Sequence, residues 1–254
     1  MDKQQSPSAG SLQRTSGTKD TSVTLAWAQR WLSPARLEPY LAACNGDIER
    51  ALELHEWNIL LGHALLVDIA HLELALRNAY VRILHQDCGE RWLFDDASPI
   101  RVPILRMSKA KKIRDVNLVN RRAIDDARMR AHDENNPDQV TAGLTLGFWA
   151  HLTDRNRERE LWIPHLYKAW PTGTDRSGIN LRLTAVNEAR NRIAHNERLF
   201  NPKNSMLSPM AVDADTLRLL HDLCPEACNR FHPDGRTNVE LFLEKNPAPA
   251  EVKL

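Results

Sequence analysis

An all-α fold is the expectation for this chain, and three observations predict it. Glycine is scarce, at 10 residues, and aromatics make up only 6% of the 254 residues. That is poor supply for a sandwich or barrel, which needs a turn about every 8–12 residues. Apolar residues return at helical spacing rather than alternating. Between Ile48 and Asp87 the chain has no proline and only one glycine, Gly62.

Residues 1–23 are rich in Ser, Thr, Gln, Gly and Lys, with only Met1, Ala9, Leu12 and Val23 apolar. So little apolar surface does not offset the entropy of ordering, and a disordered tail is expected. The remainder, 24–254, is expected to be a single helical domain. Leu25, Ala28 and Leu32 share a helical face beside the Trp27/Trp31 pair, so a first short helix fits. Ser33-Pro34 reads as a helix start, with serine capping the orphan N–H groups and proline at the first position having none to lose. Asn45-Gly46 stops that helix, and Asp47 caps the next.

From Ile48, the residues Leu52, Leu54, Leu60, Leu61, Leu65, Ile69, Leu72, Leu76, Tyr80 and Ile83 keep returning to one broad face. They predict one long helix, or two helices broken near Gly62. Cys88-Gly89 ends it. After a loop with Pro99 and Pro103, Lys109–Arg130 reads as a charged helix. Glu134–Asp138 is a loop, Leu144–Leu152 an apolar packing segment in which Gly147 permits close helix approach, and Ile179–Ala194 a helix. Weaker helices are expected near Asp213–Leu223 and Asn238–Lys245.

Charge is nearly balanced, 34 Lys+Arg against 33 Asp+Glu, a formal +1. This excludes a bulk polycation of the histone type. No run approaches the roughly 18 apolar residues of a membrane span, and the start lacks the basic-then-apolar layout of a secretory signal. A soluble cytoplasmic protein with no membrane contact is the expectation. Four scattered cysteines read as reduced thiols rather than a disulfide framework.

The segment Asn187–Glu197 carries the most chemistry. Arg190 and His195 stand five residues apart at a helix end, with Asn191 and Arg192 between them. If the last turn loosens at Ala194-His195, both side chains reach one small volume. Imidazole exchanges a proton near neutral pH, and guanidinium clamps a phosphate. Together they suffice for attack of an RNA 2′-hydroxyl on the adjacent phosphorus without a metal or any other cofactor. The same residues also complement a helix macrodipole, so the spacing alone leaves a purely structural helix end open.

Five blocks in order carry a resemblance: Leu32–Leu37 with Tyr40-Leu41; Ala51–Leu54 with Trp57-Asn58; Leu72–Ala79; Leu144–Trp149; and Arg190–Asn196. Over about residues 27–200 the sequence resembles the Abi-like (abortive infection) proteins of the HEPN superfamily. The resemblance implies a HEPN-like helical bundle with extra peripheral helices. Its Arg-x4-His motif would form a metal-independent ribonuclease site, usually completed across a two-fold homodimer. It assigns His195 as general acid/base, Arg190 as phosphate clamp and Asn191 as orienting hydrogen-bonder. An RNA-cleaving toxin or phage-defence effector follows, with an RNA or protein antitoxin as a partner restraining it. Some members of the superfamily only bind, so a non-catalytic RNA- or protein-binding module stands as the alternative.

Glu73 and Arg77, an i,i+4 pair with Asn78 beside it, would line the same cleft or serve as a surface pair. Residues 109–130 hold eight basic against three acidic side chains, a net +5 that leaves −4 for the rest. Lys111, Lys112, Arg121 and Arg122 there, with Arg192, are the candidate RNA contacts. A second cationic cluster, Arg190, Arg192 and Arg198, surrounds His195. No metal is expected. His55, His63 and His71 recur every eight residues, about 12 Å apart on a helix, too far for one ion. His221, Cys224, Cys228 and His232 have ligand-like spacing, but Pro225 disturbs the helix that would align them.

Overall fold

The computed structural model describes residues 21–108, 111–250 and 252–254. Most of the expected tail, residues 1–20, and Lys109 of the basic segment lie outside the described residues; Thr21–Val23 already belong to the first helix. The architecture is all-α apart from one small hairpin. Two compact units are present, one reaching to Leu52 and the other spanning Glu53–Leu254.

In the first unit, α1 (Thr21–Leu32) packs on α2 (Pro34–Ala43). Pro34 begins α2 as expected, but Ser33 makes no side-chain cap: its φ is 65°, and it is the single residue linking two helices. With that φ and ψ at 151° it lies outside the β-region geometry from which an N-cap serine reaches the first helical N–H groups. At the other end, Asn45 (φ 53°) and Gly46 (φ 84°) both turn left-handed, and Gly46 N–H donates to the Leu41 carbonyl at 2.8 Å, closing a Schellman-type stop. Asp47 caps the following helix through Arg50 N–H at 3.2 Å.

That helix, α3 (Ile48–Cys88), is unbroken over 41 residues. Its core stripe, Leu61, Leu65, Ile69, Leu72, Leu76, Tyr80 and Leu84, is fully buried. Gly62 does not break it. A Cβ there would lie 3.4 Å from Ile193 and Leu199 side chains, so glycine lets another segment come close. By length and composition α3 is apolar enough to cross a membrane, which counting uninterrupted apolar runs overlooked because polar residues are interspersed. Its buried stripe from Leu61 to Leu84 lies in the core of the unit spanning Glu53–Leu254.

The segment before the next helix departs from expectation. Lys109–Arg130 is not one helix: β1 (Leu105–Met107) pairs antiparallel with β2 (Ile113–Asp115), matching Arg106 to Arg114, and α4 runs only from Leu118 to Arg130. Lys111 takes a φ of 57° in the turn. Apolar Leu105, Met107 and Ile113 alternate with charge, the period of a strand, and Asn117 locks the junction. Asn117 is fully buried and donates to the Ile100 and Val102 carbonyls at 2.8 and 2.9 Å. Arg157, 2% exposed, joins the same junction through Asn117, the Val116 and His151 carbonyls and Asp154. Burying a guanidinium this deeply is tolerable because its donors are paired.

α5 (Pro137–Ala142) and α6 (Leu146–His151) follow, then 3-10 turns at Arg155–Arg157 and Leu166–Ala169 around a π-helical turn. α7 (Arg176–Ala194) starts three residues earlier than expected because Asp175 caps it, accepting from Ser177 and Gly178 N–H at 3.0 and 2.8 Å. α8 (Pro209–Leu223) and α9 (Pro225–Phe231) are separated at Cys224-Pro225, where the proline was expected to disturb a helix. α10 (Asn238–Lys245) matches expectation and begins with a full capping box between Thr237 and Glu240.

Candidate functional site

α7 buries Ile179, Leu183, Val186 and Ala189; half-buried Asn187 and Arg190 continue that same face toward the C-terminal end, with exposed Asn191 at its edge. Arg190 and Asn191 line a cavity of about 290 Å³ with Asn120 of α4 and Thr145, Gly147, Phe148 and His151 around α6. Gly147 fixes how closely α6 meets α7: a Cβ there would stand 3.2 Å from Asn187 Oδ1. The close approach expected at Gly147 is therefore present, with a polar neighbour. Arg190 reaches Asn191 Oδ1 only at 3.5 Å, so most of its donor capacity faces the open cavity.

His195 is not in that cavity, and the local geometry explains why. The last turn of α7 does not loosen. His195 N–H still donates to the Asn191 carbonyl at 3.0 Å; then Asn196 (φ 52°) bonds back to Ile193 at 3.0 Å and Glu197 to Arg192 at 2.8 Å. This is a complete Schellman motif with asparagine in the left-handed position. Five residues of regular helix set Arg190 and His195 about 140° apart around the axis and about 7.5 Å along it. The two side chains of one chain thus do not converge. His195 is exposed.

The loop carrying His195 is held from below. Asn58 on α3 is buried; its carboxamide oxygen accepts from Leu199 N–H at 2.7 Å, and its nitrogen donates to the Glu197 carbonyl at 3.2 Å. With the close approach of Ile193 to Gly62, this fixes the end of α7 on the core helix.

Glu73, Arg77 and Asn78 do not join the cleft. Glu73 is eleven positions beyond Gly62, about 16 Å along α3 from the level of Ile193, and none of the three lines the cavity. Among the described residues Glu73 and Arg77 form no ion pair; Arg77 instead reaches Asn78 Oδ1 at 3.4 Å. The candidate RNA contacts divide. Lys111 and Lys112 project from the hairpin turn and Arg122 is exposed on α4. Arg121 is committed: it ion-pairs with Asp115 and donates to the Arg101 carbonyl at 3.1 Å. Arg192 pairs with Glu188 one turn back at 3.1 Å.

Sequence reading missed His151, Asn187, Asn120 and Thr145 in the cavity wall. For His151 there was a signal, an aspartate three residues on. His151 Nδ1 lies 3.2 Å from Asp154 Oδ2. Burial opposes ionisation of Asp154, but His151, Arg157 and Asn180 outweigh it and hold the carboxyl below the usual range. The cavity thus presents a guanidinium, an oriented imidazole and several amides, a set able to grip a phosphodiester and to move a proton.

Neither metal set weighed from the sequence assembles. Cys228 Sγ faces the Leu217 carbonyl at 3.9 Å, and the three α3 histidines remain spread along their helix. Burial depresses the pKa of His55 against the raising influence of Glu56.

No family model matches this chain, and comparison with curated proteins and with solved structures likewise finds no match.

Proposed function

We propose that the chain is a HEPN-like, Abi-like helical protein acting as a metal-independent endoribonuclease in the cytoplasm, as a toxin or phage-defence effector. The observation that carries this reading is the open polar cavity lined by Arg190 and Asn191, with His195 exposed where the same helix ends. A homodimer completes the site: His195 of a second copy enters the cavity that Arg190 of the first lines. In the reaction His195 takes the 2′-hydroxyl proton as the 2′-oxygen bonds to phosphorus. The bond from phosphorus to the 5′-oxygen breaks, and that oxygen receives the proton that His195 has taken up. Arg190 holds the phosphorane charge while Asn191 orients a phosphate oxygen. The products are a 2′,3′-cyclic phosphate and a 5′-hydroxyl. Lys111, Lys112 and Arg122 guide the RNA backbone, and an RNA or protein antitoxin restrains the activity.

The test is incubation of pure protein with mixed RNA, followed by 3′-end analysis. Cyclic phosphate ends should form in EDTA at a temperature where the fold is intact. Arg190→Ala and His195→Ala should each cut the rate by about 10³-fold with the melting temperature unchanged. Cleavage that persists in both purified variants overturns the proposal.

A second reading, a non-catalytic RNA- or protein-binding module, is favoured by one observation: within one chain the imidazole of the motif stands outside the cavity. It predicts salt-dependent RNA binding that leaves the RNA intact.

A further inference from the structure

The unit spanning Glu53–Leu254 also holds a polar cluster that shares no residue with the cavity described above. Asp68 and His71 lie three residues apart on α3 and so share a face. His232 follows the end of α9. Asp68 is 1% exposed, as is the side chain of His232, and the three residues offer donor atoms within 4.8 Å of one another.

The hydrogen bonding around this cluster is incomplete in a specific way. His232 Nδ1 stands 2.9 Å from the Arg236 carbonyl. A carbonyl only accepts, so the proton is on Nδ1. Nε2 is directed at Asp68 Oδ1, 3.3 Å away, and is buried without a well-formed hydrogen bond. His71 Nδ1 is likewise buried and unpartnered, its ring fixed by stacking on Phe231 at 4.2 Å and by an edge contact with His232. On α8, Asp213, itself 1% exposed, lies against the Thr237 side chain and Asp68. Buried carboxylates facing one another are costly unless a proton or a cation lies between them.

We propose that Asp68, His71 and His232 form a structural site for a zinc-class divalent cation that staples α3 to the C-terminal helices. One separation fits the chemistry directly. Bonds of about 2.0–2.1 Å in a tetrahedral site put adjacent ligand atoms about 3.3 Å apart, which is the separation of His232 Nε2 and Asp68 Oδ1. Two imidazoles and a carboxylate suit zinc and its late first-row neighbours rather than calcium or magnesium. The supporting contacts are those that metal ligands use. The backbone carbonyl of Arg236 orients His232, and Asp68 accepts from Asn238 through both the backbone N–H, at 2.9 Å, and the side-chain amide. Half-buried His71 gives an ion a path from solvent. A water or Asp213 completes the coordination. The two histidines come from the two sets that sequence spacing had grouped separately, His71 from the α3 series and His232 from the cysteine-containing one.

This proposal does not rest on the ribonuclease reading, and its test does not use activity. Full-length protein stripped with EDTA and dialysed is titrated with zinc chloride by calorimetry, and reloaded protein is desalted and assayed for metal. The expected results are one zinc per chain, a higher melting temperature with zinc, and the visible spectrum of a tetrahedral complex when cobalt(II) replaces it. His71→Gln, His232→Gln and Asp68→Asn should weaken zinc binding about 100-fold or more, whereas Cys224→Ser and Cys228→Ser should leave it unchanged. His71 is not fully buried, so His71→Gln is the variant to judge if the others unfold; its helicity is checked by circular dichroism. Stripped wild-type protein that neither binds zinc nor gains stability overturns the proposal. So does undiminished binding in folded His71→Gln, or loss of binding in the cysteine variants.

Discussion

The cavity at the end of α7 and the cluster around Asp68 hold similar groups, yet their surroundings set opposite demands. In the cavity, Arg190 and Asn191 face an opening that water fills, so unpaired donors there cost little and remain ready for a ligand. Around Asp68 the polar atoms are buried although the His71 ring is half-exposed, and each one left without a partner carries its desolvation cost. Solvated unpaired groups mark a place for a transient substrate. Buried ones mark a place for something that stays. Removing a group from the first region should change rates and spare stability; removing one from the second should do the reverse.

The sharpest way to break that contrast is to ask whether the first region is complete in one chain. The Schellman closure of α7 directs Arg190 and His195 to different sides of the helix. If a second copy supplies the imidazole, mixing inactive Arg190→Ala with inactive His195→Ala should restore cleavage. In a two-fold dimer each heterodimer regains one of its two sites, and random pairing makes half of the dimers hetero. Activity should therefore recover to roughly a quarter of the wild-type value, read by the cyclic-phosphate assay after the proteins are mixed and allowed to exchange. A mixture as inactive as its parts shows that Arg190 and His195 act in the same chain or not at all.

A smaller effect, shared between rate and stability, belongs to Asn58. It touches no cavity atom but holds the His195 loop through Leu199 N–H and the Glu197 carbonyl. Asn58→Ala strands both groups at a buried position, which should cost about 1–3 kcal/mol, measured by urea unfolding. Cleavage should fall as the loop loses its anchor. Unchanged activity at full occupancy of the fold would mean that the placement of His195 is not set from α3.

What the sequence revealed of this arrangement follows from the range of the physics involved. α3 and α10 were legible because apolar residues return there at helical spacing with no proline inside. The hairpin was obscured by its charged turn, since Lys111 and Lys112 read as readily on a helix face as at a strand reversal. Arg190 and Asn191, singled out in sequence, line the cavity, whereas a loosened last turn that would bring His195 beside them is not what forms. Asn196 at the stop position was itself the sign that the helix would close tightly. The Asp68 cluster was out of reach: Asp68 and His232 meet only through tertiary packing, and no local spacing connects them.

The smallest expected effect separates basic residues that look alike in sequence. Lys111, Lys112 and Arg122 are exposed, while Arg121 is bound to Asp115 and to the Arg101 carbonyl. A side chain free to neutralise a phosphate releases a counterion when RNA binds, and each such contact adds about 0.7 to the slope of log affinity against log salt for single strands. Replacing Lys111, Lys112 or Arg122 with Gln should each lower that slope by up to about this amount, at unchanged stability. Arg121→Gln should leave the slope where it was and instead lower the melting temperature, because it unties the hairpin from α4. The four variants measured by fluorescence anisotropy over a salt series distinguish these roles. An equal drop in slope for Arg121→Gln would place its guanidinium on the RNA and return the whole 109–130 segment to a single basic track.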